Sequence, residues 1–446
     1  MPMISDTSPI AFDDVLPQVV DVVVIGGGIA GTATAWFLAK AGVKVLLCEK
    51  GRIAGEQSSR NWGWVRQQGR DPAELPIMME SNRIWRGLAA ETGEADLTFT
   101  PSGCVYLTDS QAGMEKYAKW YETAREFQLD TRMLSKAELE QLIPGAGTKW
   151  LGGMMTPSDG RGEPFVAVPA LARAARGAGA TVIENCAVRT LDMNGGRVSG
   201  VVTEKGRVRA DRVVLAGGAW SSQFAANTGI DLPQLAVRST AARTVAVPEH
   251  YARNISTPGL AMRRRADGGY TVASGDIAEH YLGPSSFRHV LKFRKLIAAS
   301  ARDIRIRLGA PEGYPNTWRT ARRWSGDEES PFERSRVLNP EPSAEAVRRI
   351  RARLPERFPA MAGVELAEAW AGMIDVTPDA VPVLGEIDAV PGLIVATGLS
   401  GHGFGIGPAI GRIAADLARG RDPGHAMTRF RHSRFFDGSP IVPGPY

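Results

Sequence analysis

The amino-acid sequence predicts an α/β fold that combines a Rossmann-like dinucleotide-binding domain with a second domain built on an antiparallel β-sheet. Residues 21–50 follow the order strand, glycine turn, helix and strand of a dinucleotide-binding unit. A second glycine-rich stretch, residues 398–405, enters another helix near the other end of the chain. Between them, residues 235–365 contain short strand-like runs typical of an antiparallel sheet. A chain of 446 residues is also long for one hydrophobic core, so two domains are expected.

The first unit begins with residues 22–25, an apolar run typical of a strand covered on both faces. Gly26, Gly28 and Gly31 follow with the spacing G-x-G-x-x-G. Gly26 permits a tight turn, Gly28 lets backbone amides approach a pyrophosphate, and Gly31 lets the helix pack closely on the strand. The free N–H groups at the start of this helix carry about half a positive charge, which favours phosphate binding.

The second strand of the unit, residues 43–47, leads to Glu49. An acidic side chain roughly 20 residues after the glycine turn can accept a hydrogen bond from a ribose hydroxyl. The turn, its position between strand and helix, and this acid together predict a bound dinucleotide. The alternative is a glycine turn in an α/β protein that binds no ligand.

Residues 51–69 are too polar and too often interrupted by glycine to form a core element. Their hydroxyl, amide and guanidinium groups suit a diphosphate and a polar ring edge. These groups belong to Ser58, Ser59, Arg60 and Asn61. The alternative is a solvated lid that makes no contact with a ligand. Trp62 and Trp64 either wall a flat pocket or pin the loop to the core.

The segments after residue 70 alternate between the two predicted domains. Helices are predicted at 74–91, 111–127, 135–143, 169–177, 286–308 and 343–354. Strands are predicted at 104–107, 181–185, 197–203, 207–210, 211–216, 238–247, 260–264 and 270–273. The resulting division is discontinuous, with a dinucleotide-binding domain of residues 1–90, 155–235 and 362–446 and a substrate-binding domain of residues 91–154 and 236–361.

Two further glycine-rich stretches end predicted strands. Gly217 and Gly218 follow the strand 211–216, where the backbone can approach a ligand at the carboxyl edge of an open sheet. Residues 398–405 lead into a helix marked by isoleucines at helical spacing. The N-terminus of that helix can direct positive charge at a ligand group that becomes anionic.

Composition and charge exclude several classes of protein. The formal net charge is +5, and the densest basic groups, residues 263–265 and 348–353, lack the broad stripe with interleaved aromatic residues that nucleic acid binding requires. The three cysteines and six histidines have no metal-ligand or disulfide spacing. No apolar run of about 18 residues predicts a membrane span. The first 20 residues resemble no signal peptide, and we expect a loose leader and a cytoplasmic protein.

Five stretches together resemble the D-amino-acid oxidase and sarcosine oxidase superfamily of FAD enzymes. They are VVVIGGGIAG with Glu49, SSRNWGWVRQQ, RVVLAGGAWS, WAGMIDVTPDAVPVLG and ATGLSGHGFGIGPAIG. They span nearly the whole chain and are closest in style to the glycine oxidase and D-amino-acid dehydrogenase branch. The resemblance implies a glutathione-reductase-type FAD-binding domain and an FAD-dependent oxidoreductase acting on an amino acid or amine.

The resemblance also implies the position of the cofactor. FAD lies extended, with its adenosine end at the first glycine turn, Val188 pairing through its backbone with adenine, and residues 401–405 beside the flavin pyrimidine edge. The residues implied to bind FAD are Gly26, Gly28, Ile29, Ala30, Gly31, Glu49, Lys50, Arg52, Ser58, Ser59, Arg60, Asn61, Trp62, Val188, Gly217, Gly218, Trp220, Gly372, Met373, Gly401, His402, Gly403, Phe404 and Gly405.

Three departures from the family pattern bear on the chemistry. Sarcosine oxidases attach flavin through a cysteine before the T-P-D motif, whereas residues 369–373 contain none, so non-covalent FAD is expected. Those enzymes place a carboxylate-binding lysine directly after G-H-G-F, where this chain has Gly405. Glycine oxidase relatives place an arginine near the position of Met373. The usual carboxylate anchors are therefore absent.

The hypothesis is oxidation of the C–N bond of an amino acid or N-substituted amino acid. Hydride passes from the α-carbon to flavin N5, the imine hydrolyses, and no dedicated base is needed once the amine is neutral. Trp64, Arg66, His280 and Met373 are the substrate-pocket candidates, although His280 also fits a surface loop. Oxygen or a quinone is the expected acceptor. The alternatives are an NAD-dependent dehydrogenase and a non-catalytic flavin-fold partner in tRNA modification.

Overall fold

The structure is a computed structural model that describes residues 3–145 and 150–444. Its strands are β1 Val22–Ile25, β2 Val45–Cys48, β3 Trp64–Val65, β4 Cys104–Thr108, β5 Arg132–Ser135, β6 Gly152–Thr156, β7 Gly160–Arg161, β8 Thr181–Ile183, β9 Val188–Asn194, β10 Arg197–Thr203, β11 Gly206–Arg209, β12 Arg212–Leu215, β13 Leu235–Thr244, β14 Asn254–Thr257, β15 Leu260–Arg264, β16 Tyr270–Tyr281, β17 Ile304–Arg307, β18 Leu366–Val376, β19 Val383–Glu386 and β20 Leu393–Thr397.

Twelve α-helices are described in the same part of the chain. They are α1 Ile29–Lys40, α2 Gln57–Arg60, α3 Leu75–Thr92, α4 Gln111–Glu126, α5 Lys136–Leu142, α6 Pro164–Gly177, α7 Ser221–Asn227, α8 Pro284–Arg288, α9 Val290–Ser300, α10 Pro331–Arg334, α11 Ala344–Arg357 and α12 Gly403–Ala418.

The first sheet has six strands in the order β19-β20-β12-β1-β2-β8, all parallel except β19. Alternate residues of β1 point into different hydrophobic clusters, Val22 and Val24 into one and Val23 into the other. The sheet is therefore covered on both faces, which explains the unbroken apolar run in the sequence.

The second sheet has nine strands in the order β18-β13-β16-β15-β14-β4-β6-β5, with β17 paired to β16. Its pairs are antiparallel except β14 with β4 and β16 with β17. The predicted fold class is confirmed. We propose the discontinuous domain division as predicted, except that β18 is grouped with the second domain because it pairs along its length with β13.

Helices α1 and α12 cross closely because glycines on α12 face α1. A Cβ atom built at Gly411 would lie 2.3 Å from the Cβ of Ala33, and one at Gly407 would lie 2.5 Å from Cγ1 of Ile29. No side chain fits at either position. This packing sets the N-termini of both helices beside the same cavity.

Two sequence predictions are wrong in detail. The helix predicted over 286–308 is divided into α8 and α9 and ends at residue 300, and residues 304–307 form β17 beside β16. The alternation of Ile304 and Ile306 with arginines has the period of a strand, and pairing with β16 satisfies its backbone. The N-terminal leader is bound rather than loose, since the Glu184 carboxylate accepts a hydrogen bond of 2.6 Å from the backbone N–H of Ala11.

The basic group at residues 263–265 is paired with acids within the protein. Arg263 is fully buried and forms two hydrogen bonds with the Glu163 carboxylate, and buried Arg265 pairs with Asp267. No helix within the described residues is long and apolar enough to cross a membrane. The cytoplasmic location stays a prediction.

Candidate active site

One cavity of about 650 Å³ lies between the carboxyl ends of the first sheet and one face of the second sheet. This volume falls within the range of roughly 300–1,000 Å³ that is typical of ligand and cofactor sites. Gly26 and Gly28, after β1, line it together with Gly401 and Gly403, at the start of α12. The two glycine turns therefore meet at one site although they lie near opposite ends of the sequence.

The first glycine turn is shaped by contacts that leave no room for side chains. Gly26 has φ +108°, and a Cβ there would lie 2.5 Å from the carbonyl oxygen of Ala216. A Cβ at Gly31 would lie 1.9 Å from the carbonyl oxygen of Gly26, so Gly31 lets α1 approach β1 and does not itself line the cavity. Gly28, Ile29 and Ala30 do line it, and the N-cap residue Gly28 has no side chain to cap the free N–H groups of α1. The turn fits a diphosphate.

Glu49 lies at the end of β2 and lines the same cavity. Its carboxylate accepts hydrogen bonds from the backbone N–H groups of Gly27, at 2.6 Å, and Gly51, at 2.8 Å. Burial raises the pKa of Glu49 to about 7, although Lys50 and the two amides oppose the rise. A carboxylate has about four acceptor sites, so Glu49 keeps capacity for a further hydrogen bond from a ligand hydroxyl.

Lys50, Glu56 and Trp220 form a cluster beside Glu49. Lys50 Nζ lies 2.7 Å from Glu56 Oε1 and 4.4 Å from the centroid of the Trp220 ring. The indole N–H of Trp220 donates to the Glu56 carboxylate at 3.0 Å. All three residues line the cavity. Glu56 was missed in the sequence because nothing local distinguishes it from a solvated loop acid.

Arg52 and Arg60 line the cavity, but their guanidinium groups are held by the protein. Arg52 donates to the carbonyl of Ser8 at 2.7 Å and to Asn185 Oδ1 at 2.6 Å. Arg60 donates to the carbonyls of Gly55 and Ala371, each at 2.9 Å. These contacts fix the leader and the loop that surround the site. The assignment of Arg52 and Arg60 as FAD-binding residues stays a prediction.

The serines and the asparagine of this segment have separate roles. Ser58 Oγ accepts a hydrogen bond of 2.9 Å from the N–H of Ile29, so it supports the start of α1 and lines the cavity. Asn61 lines the cavity and bonds to the carbonyl of Ser58 at 2.9 Å. Ser59 is fully buried outside the cavity lining and donates to the carbonyl of Glu56.

The remaining cofactor candidates divide by exposure to the cavity. The ones that line it are Lys50, Trp62, Val188, Gly217, Gly218, Trp220, Gly372, Gly401, His402, Gly403 and Phe404. Gly31, Ser59, Met373 and Gly405 do not. Gly405 packs against β3, where a Cβ would lie 3.1 Å from the carbonyl oxygen of Trp64, and its own carbonyl accepts hydrogen bonds from Ser81 and Trp85.

The second glycine turn is held by a buried acid. Asp375 Oδ2 accepts hydrogen bonds from the N–H groups of Gly398, at 2.7 Å, and Leu399, at 3.2 Å. Burial raises the pKa of Asp375, against the effect of these amides. Asp375 lines the cavity and was missed as a site residue. Its position just before the T-P-D motif was the only signal in the sequence.

His402 precedes α12 and faces Glu74 from the neighbouring helix region. Its Nε2 lies 3.1 Å from Glu74 Oε2, and both side chains are buried. Burial lowers the pKa of His402 despite the nearby carboxylate, so the imidazole is neutral near pH 7. Burial opposes ionisation of Glu74, but His402 and Arg70 outweigh it and lower the pKa of that acid. His402 therefore braces the glycine loop.

The other side of the cavity is aromatic and cationic. Trp62, Trp64, Arg66 and Tyr106 line it, and the two tryptophan rings meet edge to face at 5.5 Å. The Arg66 guanidinium lies 5.8 Å from the centroid of the Tyr106 ring and donates to the carbonyl of Gln68. Such a wall can hold an apolar substrate body and an anionic group together.

Two buried charges fix the loop that carries this wall. The Arg263 guanidinium donates to the carbonyl of Trp62. The Asp159 carboxylate accepts hydrogen bonds from the N–H groups of Gln67, at 2.7 Å, and Gln68, at 3.1 Å. Burial raises the pKa of Asp159 to about 6, which those amides oppose. The position of Arg66 is thus set by residues on both sides of it.

His280 and Met373 lie outside this cavity, so their prediction as pocket residues is wrong. Both line a separate space of about 20 Å³. Met373 lies between Gly372 and Ile374, which face the main cavity, and successive strand residues point to opposite faces. The His280 ring is held at 2.9 Å by the carbonyl of Ala236 and at 2.9 Å by Ser286 Oγ.

Comparison with known proteins identifies the family. A family model described as DAO, FAD dependent oxidoreductase, matches residues 21–417. The chain therefore belongs to this family of FAD-dependent oxidoreductases, and FAD is its cofactor. The glycine turns and the helix N-termini that line the cavity fit that cofactor. Among the described residues, no group of three or more His, Cys, Asp or Glu side chains is arranged to hold a metal ion.

Several relatives act on amino acids or N-methyl amino acids by name. L-amino acid deaminase from Proteus myxofaciens, in a structure with anthranilate, is 32% identical with a TM-score of 0.91, covering 96% of this chain and 97% of that one. Glycine oxidase from Pseudomonas aeruginosa is 27% identical over 90% of this chain and 95% of its own length. Mouse mitochondrial sarcosine dehydrogenase is 31% identical over 50% of this chain. The chain spans between a quarter and about half of the length of this and two other curated relatives.

Proposed function

We propose that the protein oxidises the C–N bond of an amino acid or N-substituted amino acid to an imine that hydrolyses. FAD, when bound, accepts the two electrons as a hydride at its N5 atom. The observation that carries the proposal is the single cavity with glycine turns on one side and a cationic, aromatic wall on the other. The amino-acid substrates named for the relatives support the same class of substrate.

Arg66 is proposed as the residue that binds the substrate carboxylate. It lines the cavity beside Tyr106, and its backbone is fixed through Asp159 and the following glutamines. A guanidinium can form two parallel hydrogen bonds with a carboxylate, which orients as well as binds it. The role replaces the anchors that relatives place at the positions of Gly405 and Met373, where this chain has no charged side chain.

The remaining residues of the wall orient the substrate and exclude water. Trp62 and Trp64 provide flat apolar surfaces, and burial raises the pKa of Tyr106 so that its hydroxyl stays protonated near pH 7. His402 lines the cavity and bonds to buried Glu74, and its proposed role is to brace the glycine loop. Binding of the neutral amine next to the cofactor accounts for reaction without a dedicated base. Oxygen and a quinone are both proposed as acceptors.

The test of the reaction is anaerobic bleaching of the bound flavin. L- and D-amino acids, N-alkylglycines and imino diacids are added in turn, and at least one is expected to remove the absorbance of oxidised flavin. Absence of bleaching by every member of the panel would contradict the proposed function. It would favour the non-catalytic flavin-fold alternative.

The test of the anchor is a substitution at Arg66. Loss of a charge-assisted hydrogen bond pair weakens binding by about 1.5–3 kcal/mol, so Arg66→Gln should raise KM roughly 10- to 100-fold. The same variant should oxidise an analogue without a carboxylate as well as wild type does. Arg83→Gln removes an exposed arginine of α3 and serves as the control. An unchanged KM in Arg66→Gln would remove Arg66 from the site while leaving the reaction intact.

A further inference from the structure

A stretch of the second domain carries an unusual concentration of positive charge. Residues 284–323 contain ten Lys and Arg and only two acidic residues, Asp303 and Glu312. The formal net charge of the whole chain is only +5, so the rest of the chain is net acidic. Many of these cations are exposed and, within the described part of the chain, have no carboxylate within 4 Å. They include Arg294, Lys295, Arg302, Arg319 and Arg322.

The same stretch exposes large apolar side chains. Leu291 is 77% exposed and Leu308 is 82% exposed, while Trp318 is 62% exposed with its ring 5.9 Å from that of Phe287. Ile297 and Ile306 are also exposed. Single exposed hydrophobic residues are normal, but a group on one short stretch indicates an interaction surface. We call the exposed side chains of residues 284–323 the basic apolar face.

The opposite side of this stretch belongs to the protein interior. Phe293 and Leu296 of α9 are buried, and Leu296, Ala299, Ser300 and Ile304 line the main cavity. Leu291 and Arg294 of α9 are exposed and point away from the face that carries Phe293 and Leu296. Ile297 lies one turn after Phe293, at the exposed edge of the buried face. The stretch therefore separates the cavity, on its inner side, from the basic apolar face, on its outer side.

We propose that the basic apolar face docks on the surface of an anionic lipid bilayer. Leucine, isoleucine and tryptophan side chains enter the boundary between headgroups and acyl chains, and the surrounding Arg and Lys side chains bind anionic headgroups. The long Arg and Lys side chains can reach the headgroups while their methylene groups stay in the apolar layer. Binding of this kind requires no membrane-spanning helix.

The chemistry of the face favours a bilayer over other occupants. A second copy of the chain would bring two strongly positive faces together, which costs electrostatic free energy. Nucleic acid would satisfy the cations, but Leu291, Ile297 and Leu308 cannot stack on bases as aromatic side chains do. A bilayer with anionic headgroups is complementary to both the charge and the aliphatic groups. The proposal does not depend on which amine is oxidised.

The experiment uses the full chain with bound FAD and sedimented vesicles. Vesicles of phosphatidylcholine with about one third phosphatidylglycerol are compared with pure phosphatidylcholine vesicles, at low and high salt. The expected result is binding to the anionic vesicles only, weakened by salt because the cations contribute. The variants are Leu291→Ser with Trp318→Ser and, separately, Arg294→Gln with Lys295→Gln. Each pair should weaken vesicle binding roughly tenfold or more.

The matched control is Arg348→Gln with Arg351→Gln, which removes two exposed arginines from α11 and should bind vesicles as wild type does. The flavin spectrum and thermal unfolding of each variant verify that it is folded. The proposal is overturned if wild type does not bind anionic vesicles, or if the two test pairs bind as well as the control. If vesicles are not bound, two other results assign the basic apolar face to another partner. Oligonucleotide binding that is lost only in the charge variant indicates nucleic acid. Self-association that is lost in the apolar variant indicates a second copy of the chain.

Discussion

At the scale of single residues, the site depends on two buried acids that are held by backbone N–H groups. Glu49 accepts hydrogen bonds from the backbone N–H groups of Gly27, in the first glycine turn, and Gly51, while Asp375 accepts two from the second glycine turn. Each acid thereby fixes the path of a turn and at the same time faces the cavity. Burial raises the pKa of both carboxyl groups, which makes the turns sensitive to pH.

The pH dependence of stability provides a test for Glu49. Its pKa is about 7 in the folded protein and about 4.3 in the unfolded chain, so the folded state holds more protons between these values. The free energy of unfolding should therefore fall as pH rises through this window, by an amount on the order of 4 kcal/mol. Below about pH 4 this destabilisation is absent, and above about pH 7 it is complete.

The measurement is urea unfolding of flavin-free protein at several pH values for wild type and Glu49→Gln. The advantage of wild type over the variant should shrink between pH 4.5 and pH 7.5. Glu126→Gln, at the exposed end of α4, is the control and should leave the pH dependence unchanged. A difference between wild type and Glu49→Gln that is constant with pH would show that the carboxyl group does not titrate there.

At the scale of secondary-structure elements, the cavity depends on the contact between α1 and α12. Gly407 and Gly411 let the two helices approach so that both N-termini face the cavity. The sequence indicated the isoleucine face of α12, because isoleucines recur at helical spacing. The glycine face could not be predicted, since its partner Ala33 lies far away in the sequence and no local pattern identifies it.

Substitution of Gly411 tests this contact. A Cβ at this position overlaps the Cβ of Ala33 and the backbone of Thr34, so Gly411→Ala should lower the free energy of unfolding by about 1–3 kcal/mol. Gly177→Ala, at the end of α6 with open space around it, should be neutral or slightly stabilising. Urea unfolding and flavin retention report the effect. Equal stability of the two variants would mean that α1 and α12 can separate without cost.

Elements with strong local signals were predicted well, and elements defined by distant partners were not. In residues 22–40, the boundaries of the strand, the turn and the helix are marked locally by Gly26, Gly28 and Gly31. β17 was predicted as helix because residues 304–307 form a strand only through pairing with β16, which lies elsewhere in the sequence. Met373 was wrongly predicted as a pocket residue. The face of the sheet that it occupies is fixed by the register of β18 with β13. The sequence does not contain that register in any local form.

At the scale of the whole molecule, segments from both ends of the chain line one cavity, so FAD bound there should stabilise the entire fold. Adding FAD to flavin-stripped protein should raise Tm, with a stabilisation of about 2.7 kcal/mol at a concentration 100-fold above Kd. Gly28→Val should remove the response, because a larger side chain occupies the space facing the diphosphate site near Ser58. Gly87→Ala in α3 should keep it. A rise in Tm with FAD that is as large in Gly28→Val as in wild type would contradict the placement of the diphosphate at this turn.

The tight approach of Gly405 to Trp64 limits how substrate preference can be exchanged between members of this family. A Cβ at position 405 would lie 3.1 Å from the carbonyl oxygen of Trp64, so a lysine introduced there requires β3 to shift. Engineering a sarcosine-type specificity into this scaffold therefore calls for replacing the strand and the loop together. The residue at position 405 is thus constrained by the backbone of a neighbouring strand, and a change of side chain there is also a change of packing.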